Sequence, residues 1–294
     1  MGQAIMKRII GCLILIFMLI GSIHSEAVGS PNERSTWLWD TQEIVKNPDI
    51  VMNFLVKQRV TRLYLQIDQD VPYSIYTSFL SKAAKTGIQV YALDGAPQWA
   101  HDRDRIDAFF IWLQDYQQSA GLTERFKGVH LDIEPYTLPE WESDVAKSVA
   151  DYQTAIQYSA FLSKSMNLPF TVDIPSWYDR VPFKNQFGND FLARWVIKYT
   201  DGTTIMAYRS KAEGPDGIIQ ISKTEVAWAE QLKKKVEIAV ETNPAIEASL
   251  SFGSYPLSTM ETEVKQVMNR FKNSAGFSNM AIHYYNTWKQ LVEK

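Results

Sequence analysis

The sequence predicts an α/β fold, a single (β/α)8 TIM barrel behind an N-terminal signal peptide, and three observations predict it. Eight short β-rich runs alternate with helical patterns along the chain. No Pro/Gly/Ser linker, repeat or low-complexity tract divides that series, so the 294 residues read as one domain. Carboxylates gather at the C-terminal ends of the runs, which is the end where barrel sites form. A doubly wound open sheet is the competing architecture. It expects a glycine-rich fingerprint after the first strand, and none is present.

The first element is an address. Lys7 and Arg8 precede an uncharged run, Ile9–Ile23, with small or polar residues following at Ser25 and Ala27. These are the parts of a secretory signal, expected over residues 1–25 with cleavage near 25–27. A spanning helix needs ~20 apolar residues; the run is shorter, and an uncleaved anchor is the alternative. Cys12, the single cysteine, falls inside the signal. The mature chain then has no disulfide, thiol nucleophile or cysteine-based zinc site. Its expected location is secreted or at the cell surface, outside the cytoplasm and free of the membrane after cleavage. A net charge of −3 offers no basic face for nucleic acid. A monomer without cofactor or metal is expected.

The barrel is expected over residues 36–294. Its strands read Thr36–Asp40, Arg62–Asp68, Gln89–Gly95, Gly128–Tyr136, Phe170–Trp177, Thr203–Arg209, Val236–Thr242 and Met280–Tyr285. The clearest helices are Arg105–Ser119, Ser143–Met166, Glu225–Lys235 and Thr259–Phe271, with apolar residues spaced at three and four. Residues two apart in a strand share a face. Strand four thus sets Val129, Leu131 and Ile133 against His130, Asp132 and Glu134. Strand two sets Leu63, Leu65 and Ile67 against Tyr64, Gln66 and Asp68; strand seven sets Val236, Ile238 and Val240 against Glu237, Ala239 and Glu241. Val172 and Ile174 likewise oppose Thr171 and Asp173, and Ile282 and Tyr284 oppose His283 and Tyr285. The apolar faces must meet the helices, which turns the polar ones to the axis. Polar groups there need partners or water, so a polar pocket entered from the top is expected.

Asp40, Asp68, Asp94, Glu134, Asp173 and Glu241 all lie at or near strand C-termini. Asp40 and Asp70 also fit simple loop capping. Trp99, Trp141, Trp177, Tyr178 and Trp288 follow strands three, four, five and eight, where flat rings suit flat sugar faces. Trp112, Trp195 and Trp228 fall in helical patterns and read as core. The segment Asn243–Ser258 is long enough for a pocket wall or lid.

Gly128-Val129-His130-Leu131-Asp132-Ile133-Glu134 resembles the strand-four signature D-G-x-D-x-D-x-E of chitinase-type (family 18) glycoside hydrolases. The Gly, the last Asp and the Glu match, while Lys127 and His130 replace the first two aspartates. Met206-Ala207-Tyr208-Arg209 is similar to the same family's M-x-Y-D on strand six, with Arg209 for the last acid. The resemblance implies hydrolysis of a glycan or cell-wall polymer containing N-acetylhexosamine, with no cofactor. It makes Glu134 the general acid and has the substrate's own acetamido group attack the anomeric carbon. Asp132 orients that group and helps keep Glu134 protonated, and Tyr208 donates to the acetamido oxygen. Asp40, Asp68, Asp94, Trp99, His130, Asp173, Trp177, Met206, Arg209 and Tyr285 are the candidate substrate-binding residues. His130 removes the family's usual proton relay and reads instead as a buried orienter of Asp132.

A second scheme needs no acetamido group. Glu241 ends strand seven and would serve as nucleophile to Glu134, if the two carboxyls stand ~5–5.5 Å apart. An ion pair with a cation such as Arg209 is the other reading of Glu241. A different class is a catalytically silent sugar-binding barrel, which the altered strand-four motif keeps open. His130, His283 and the acids also suggest a metal, but the H-x-H that metal-dependent barrels carry on strand one is absent.

Overall fold

The structure, a computed structural model, describes residues 33–294; the expected signal peptide and Cys12 lie outside the described residues. Eight strands close a barrel in which every neighbouring pair is parallel. They are β1 (Arg34–Leu38), β2 (Val60–Gln66), β3 (Gln89–Asp94), β4 (Gly128–Leu131), β5 (Phe170–Pro175), β6 (Gly202–Met206), β7 (Val236–Glu241) and β8 (Phe277–His283). β1 pairs with both β2 and β8, which completes the ring. Helices on the outside follow the strands, among them Arg103–Ser119, Val145–Ser165, Ile218–Gln231 and Leu257–Phe271.

Strand alternation sorts the interior into two cores. Leu63, Leu65, Val129, Leu131, Val172, Ile174, Val240 and Ile282 belong to the large cluster shared with the helices. Trp37, Tyr64, Tyr91, Leu93, Ala239 and Ala281 form a separate cluster on the axis. Parallel register explains that grouping, since Trp37 stands beside Tyr64, Tyr64 beside Tyr91, and Ala239 beside Ala281. Tyr91 in turn neighbours Gly128, and a Cβ there would lie 2.3 Å from the tyrosine ring. Gly128 is therefore the space the axial aromatics occupy. A barrel axis ordinarily holds branched aliphatic layers; here aromatic rings fill its middle, and the polar inward groups lie above and below them.

Polar groups close the lower end. Glu237 accepts from Ser35 Oγ at 2.8 Å, Arg62 Nη1 at 2.7 Å and Tyr64 Oη at 2.7 Å. Arg62 also lies over the Tyr91 ring, 4.9 Å from its centroid. A buried carboxylate is tolerated when several donors converge on it.

Several boundaries differ from the expectation. β4 leaves the ladder after Leu131, and Asp132 to Glu134 continue beyond it. The run stays attached through Asp132 N, which donates to Asp94 O at 3.0 Å. Gly95 makes that approach feasible: its φ is +145°, and a Cβ would sit 2.1 Å from Asp132 O. β8 ends at His283 and a helix begins at Tyr285, so strand alternation stops before Tyr285. An antiparallel hairpin, Pro182–Asn185 with Gly188–Phe191, is inserted between β5 and the helix Leu192–Tyr199. Its four-residue arms are too short to show a period. The helix Ile218–Gln231 starts seven residues before the expected Glu225, because Ile218 and Ile219 are buried in its first turn.

Glu237→Ala leaves the Arg62 guanidinium and two hydroxyls without their shared acceptor. We expect a loss of about 3 kcal/mol in urea unfolding, with Glu237→Gln losing less because two of the donors keep a carbonyl.

Candidate active site

The inward column of β4 builds the site from below. His130 is fully buried, stacked on Tyr64 with ring centroids 3.6 Å apart. Its Nδ1 lies 2.8 Å from Thr171 Oγ1 and its Nε2 2.9 Å from Asp173 Oδ2. Asp173 Oδ2 also accepts from Trp37 Nε1 at 3.0 Å, so β1, β4 and β5 meet on one carboxyl. Burial pushes the His130 imidazole down to about 3, which leaves the ring uncharged. Burial likewise holds Asp173 well above the usual carboxylate range, against the opposing bond from Trp37. Asp132, one step up the column, is raised by burial first and then by Asp173 and Glu134. One oxygen of each aspartate, Oδ1 in both, is sealed from solvent without a partner. Neighbouring acids add to burial in both cases, Asp173 and Glu134 at Asp132, and Glu134 and Glu237 at Asp173.

Glu134 stands at the top of the column, half-buried, and Tyr136 Oη donates to its Oε1. Tyr136 is clamped in an aromatic wall. Its ring meets Trp177 edge-on at 5.2 Å, Tyr178 at 6.0 Å and Trp141 at 6.4 Å. Trp141 and Trp177 are half-buried, with part of each ring open to solvent.

A second group faces this wall. Glu241 Oε1 accepts from the backbone N–H of Thr242 at 2.7 Å and of Asn243 at 2.6 Å. Its Oε2 lies 2.8 Å from His283 Nδ1. Trp39 Nε1 reaches His283 Nε2 at 3.0 Å. Indole is only a donor, so His283 Nε2 accepts and the ring proton sits on Nδ1, pointing at Glu241. Tyr208 stacks on His283 at 5.6 Å. Burial, then Glu241, Asp173, Asp132 and Glu134, raise its phenol well above the ordinary range, so Tyr208 stays an O–H donor.

These placements bring together Glu134, Asp132, Tyr208, Glu241 and Trp177, with Met206 half-buried on the inward face of β6 beside Pro175. Other candidates lie elsewhere. His130 and Asp173 are sealed beneath the mouth, 0% and 3% exposed, and reach no substrate directly. Trp99 is 5% exposed and packs on Phe109 in the helix layer. Tyr285 is 1% exposed and packs edge-on to Phe54, since it belongs to the helix after β8. Trp288 is also core. Arg209 pairs with Asp216 at 2.7 Å and leaves Glu241 to His283. Asp40 and Asp68 hold their own loops, accepting from Gln42 N and Asp70 N at 3.0 Å each. Asp94 is half-buried and accepts from Gln66 Nε2 at 3.0 Å and Gly95 N at 2.8 Å. The loop after β7 is tied to itself, with Ser251 Oγ bonding Asn243 O at 2.5 Å. Among the described residues, no cluster of three or more His, Cys, Asp or Glu is arranged to hold a metal.

Three participants were not singled out in the sequence: Trp39, Tyr136 and the donor role of His283. Trp39 continues the alternation Ser35, Trp37, Trp39 along an inward face, a signal that was available. Tyr136 sits in a one-turn 3-10 segment, Pro135–Thr137, where neither period applies.

The raised aspartate pair has a pH signature. Below the ordinary aspartate value of about 3.9 both folded and unfolded chains hold these protons. As pH rises past it the unfolded chain releases them first, so stability falls until the folded pair titrates. We expect the wild type to lose more melting temperature between pH 5 and pH 8 than Asp132→Asn; an equal loss in both would count against a protonated pair.

No family model matches the chain, and no curated protein matches it in sequence. Solved structures are similar to it in fold. A β-mannanase from the blue mussel Mytilus edulis has a TM-score of 0.56 at 9% identity, over 89% of this chain and 90% of that one. The Bacillus cereus spore cortex-lytic enzyme SleL has a TM-score of 0.55 at 12% identity, over 90% and 75% of the two chains. A GH18 chitinase from Pseudoalteromonas aurantia has a TM-score of 0.53 at 12% identity, over 88% and 98%. At such identities the likeness is one of architecture: the chain has the closed (β/α)8 barrel that these glycoside hydrolases share.

Proposed function

We propose that the protein is a secreted glycoside hydrolase that cleaves an N-acetylhexosamine-containing glycan, with Glu134 as general acid. The observation that carries this reading is the column that continues β4, in which half-buried Glu134 stands above half-buried Asp132, whose carboxyl is raised by burial and then by Asp173 and Glu134. Asp132 Oδ1 is sealed, but the residue as a whole is half-buried, so its other oxygen is the one that an acetamido N–H entering from the mouth meets. Tyr208, kept as a phenol, then donates to the acetamido oxygen. Held from both ends, that oxygen is directed at the anomeric carbon while Glu134 protonates the departing oxygen. The half-buried rings of Trp177 and Trp141 offer a stacking surface beside the acid. The fold likeness to a chitinase and to a spore cortex-lytic enzyme fits this substrate class.

A specific observation favours a second reading. Glu241 is fixed by two backbone N–H groups and His283, the preorganisation expected of a nucleophile in a two-carboxylate retaining mechanism. The β-mannanase likeness is consistent with such a scheme on a sugar lacking the acetamido group.

Hydrolysis of N-acetylglucosamine oligomers and of mannan by purified protein, followed with two variants, separates these readings. Glu134→Gln is expected to lower kcat by about 10³-fold with binding retained. Glu241→Gln is expected to cost about tenfold or less on the acetamido substrate. A loss by Glu241→Gln as large as that of Glu134→Gln, with activity restored to Glu241→Ala by azide, would replace the first scheme by the second. Glycan binding without any turnover by the wild type would make the protein a sugar-binding barrel.

A further inference from the structure

The hydrogen bond between Tyr136 and Glu134 has no counterpart in the motifs discussed above, and its setting is unusually constrained. Pro135 follows the acid and opens the 3-10 turn Pro135–Thr137. Thr137 donates back to Glu134 O twice, from N at 3.1 Å and Oγ1 at 2.9 Å, and Leu138 N closes the turn on Pro135 O at 3.1 Å. The Tyr136 ring is then held by Trp177, Tyr178 and Trp141. Backbone and ring are both fixed, so the phenol O–H has one direction, toward Glu134 Oε1.

A general acid must present its proton on the oxygen that faces the leaving group. A carboxyl oxygen that accepts a phenol proton is the carbonyl-like one, and the acid proton resides on the other. We propose that Tyr136 is a positioning residue that fixes the proton of Glu134 on Oε2 and stabilises the carboxylate left behind when that proton moves. This rests on the reading of Glu134 as the acid. In the step itself the Oε2–H bond breaks and an O–H bond forms to the glycosidic oxygen. The C–O bonding pair passes to that oxygen as the acetamido oxygen bonds to the anomeric carbon. Glu134 is then an anion, and an O–H···O⁻ bond is stronger than the neutral bond it replaces. The contact is therefore tighter after proton transfer than before it, as transition-state stabilisation requires. In the second half, Oε2 takes a proton from the water that opens the cyclic intermediate, and the phenol is again in place.

The titratable groups facing this pair are Asp132 two residues before Glu134, Asp173 from β5, Tyr152 from the helix Val145–Ser165, Tyr178 after β5, and Tyr208 just beyond β6. Burial and then the neighbouring Glu134 carboxyl push the Tyr136 phenol upward, so it remains a donor across the range in which carboxyls titrate.

Tyr136→Phe keeps the ring and its three aromatic contacts and removes only the donor. Three measurements are compared: kcat and KM on N-acetylglucosamine oligomers, the pH profile of kcat/KM, and a ¹³C-carboxyl NMR titration of Glu134. We expect kcat to fall about 10- to 100-fold with KM within twofold, since a bond to a charged group contributes ~1.5–3 kcal/mol. The alkaline limb of the profile and the Glu134 titration should both move upward by about one pH unit. A fall in kcat with both curves unmoved would show a packing role and overturn the proposal. Glu134→Gln serves as the separate control. If it keeps turnover, the reading of Glu134 fails and this inference with it; if it is inactive while the Tyr136→Phe curves stay in place, only the inference fails.

Discussion

The carboxyl of Asp173 is the point on which the upper barrel converges. It receives the indole of Trp37 from β1 and the imidazole of His130 from β4 on a single oxygen. Such a contact between groups 0–3% exposed is stable only if charge is suppressed, because a buried ion without compensation is far costlier than a buried hydrogen bond. Burial drives both partners the same way, the histidine down and the aspartate up. The support beneath the mouth is consequently one in which burial disfavours charge on both partners. Asp132, resting on that support, is raised as well.

An asymmetry across the mouth follows. On the β4–β5 side the carboxyls of Asp132 and Asp173 are buried and held well above the usual carboxylate range. On the β7–β8 side, Glu241 stands alone among donors: two backbone N–H groups and the Nδ1–H of a histidine whose tautomer is set by Trp39. The aromatic wall of Tyr136, Trp141, Trp177 and Tyr178 completes the mouth and touches the acid only through the Tyr136 hydroxyl.

Much of this was legible in one dimension. Period-two alternation put His130, Asp132, Glu134, Glu237 and Glu241 on the axis, and the eight βα units pointed to the closed parallel barrel over a doubly wound open sheet. Proximity was not legible. Trp99 and Trp177 look alike as top-loop tryptophans, yet one is packed into the helix layer and the other borders the acid. Arg209 is a plausible partner for Glu241 by position, and in space it prefers Asp216. Tyr285 shares its parity with His283 only while the strand continues, and the strand stops at His283.

What the sequence by itself determined is the order of elements and the side to which each strand residue points, because both follow from local spacing. Tertiary structure alone decided how deep each inward residue lies and what meets it there. Depth and contact make His130, read as a buried orienter of Asp132, a partner of Asp173 and Thr171 instead. They turn Tyr136 from a loop aromatic into the residue that donates to Glu134. Those outcomes depend on desolvation and on contacts between strands remote in sequence, such as the 136 positions separating Trp37 from Asp173. No local pattern encodes them.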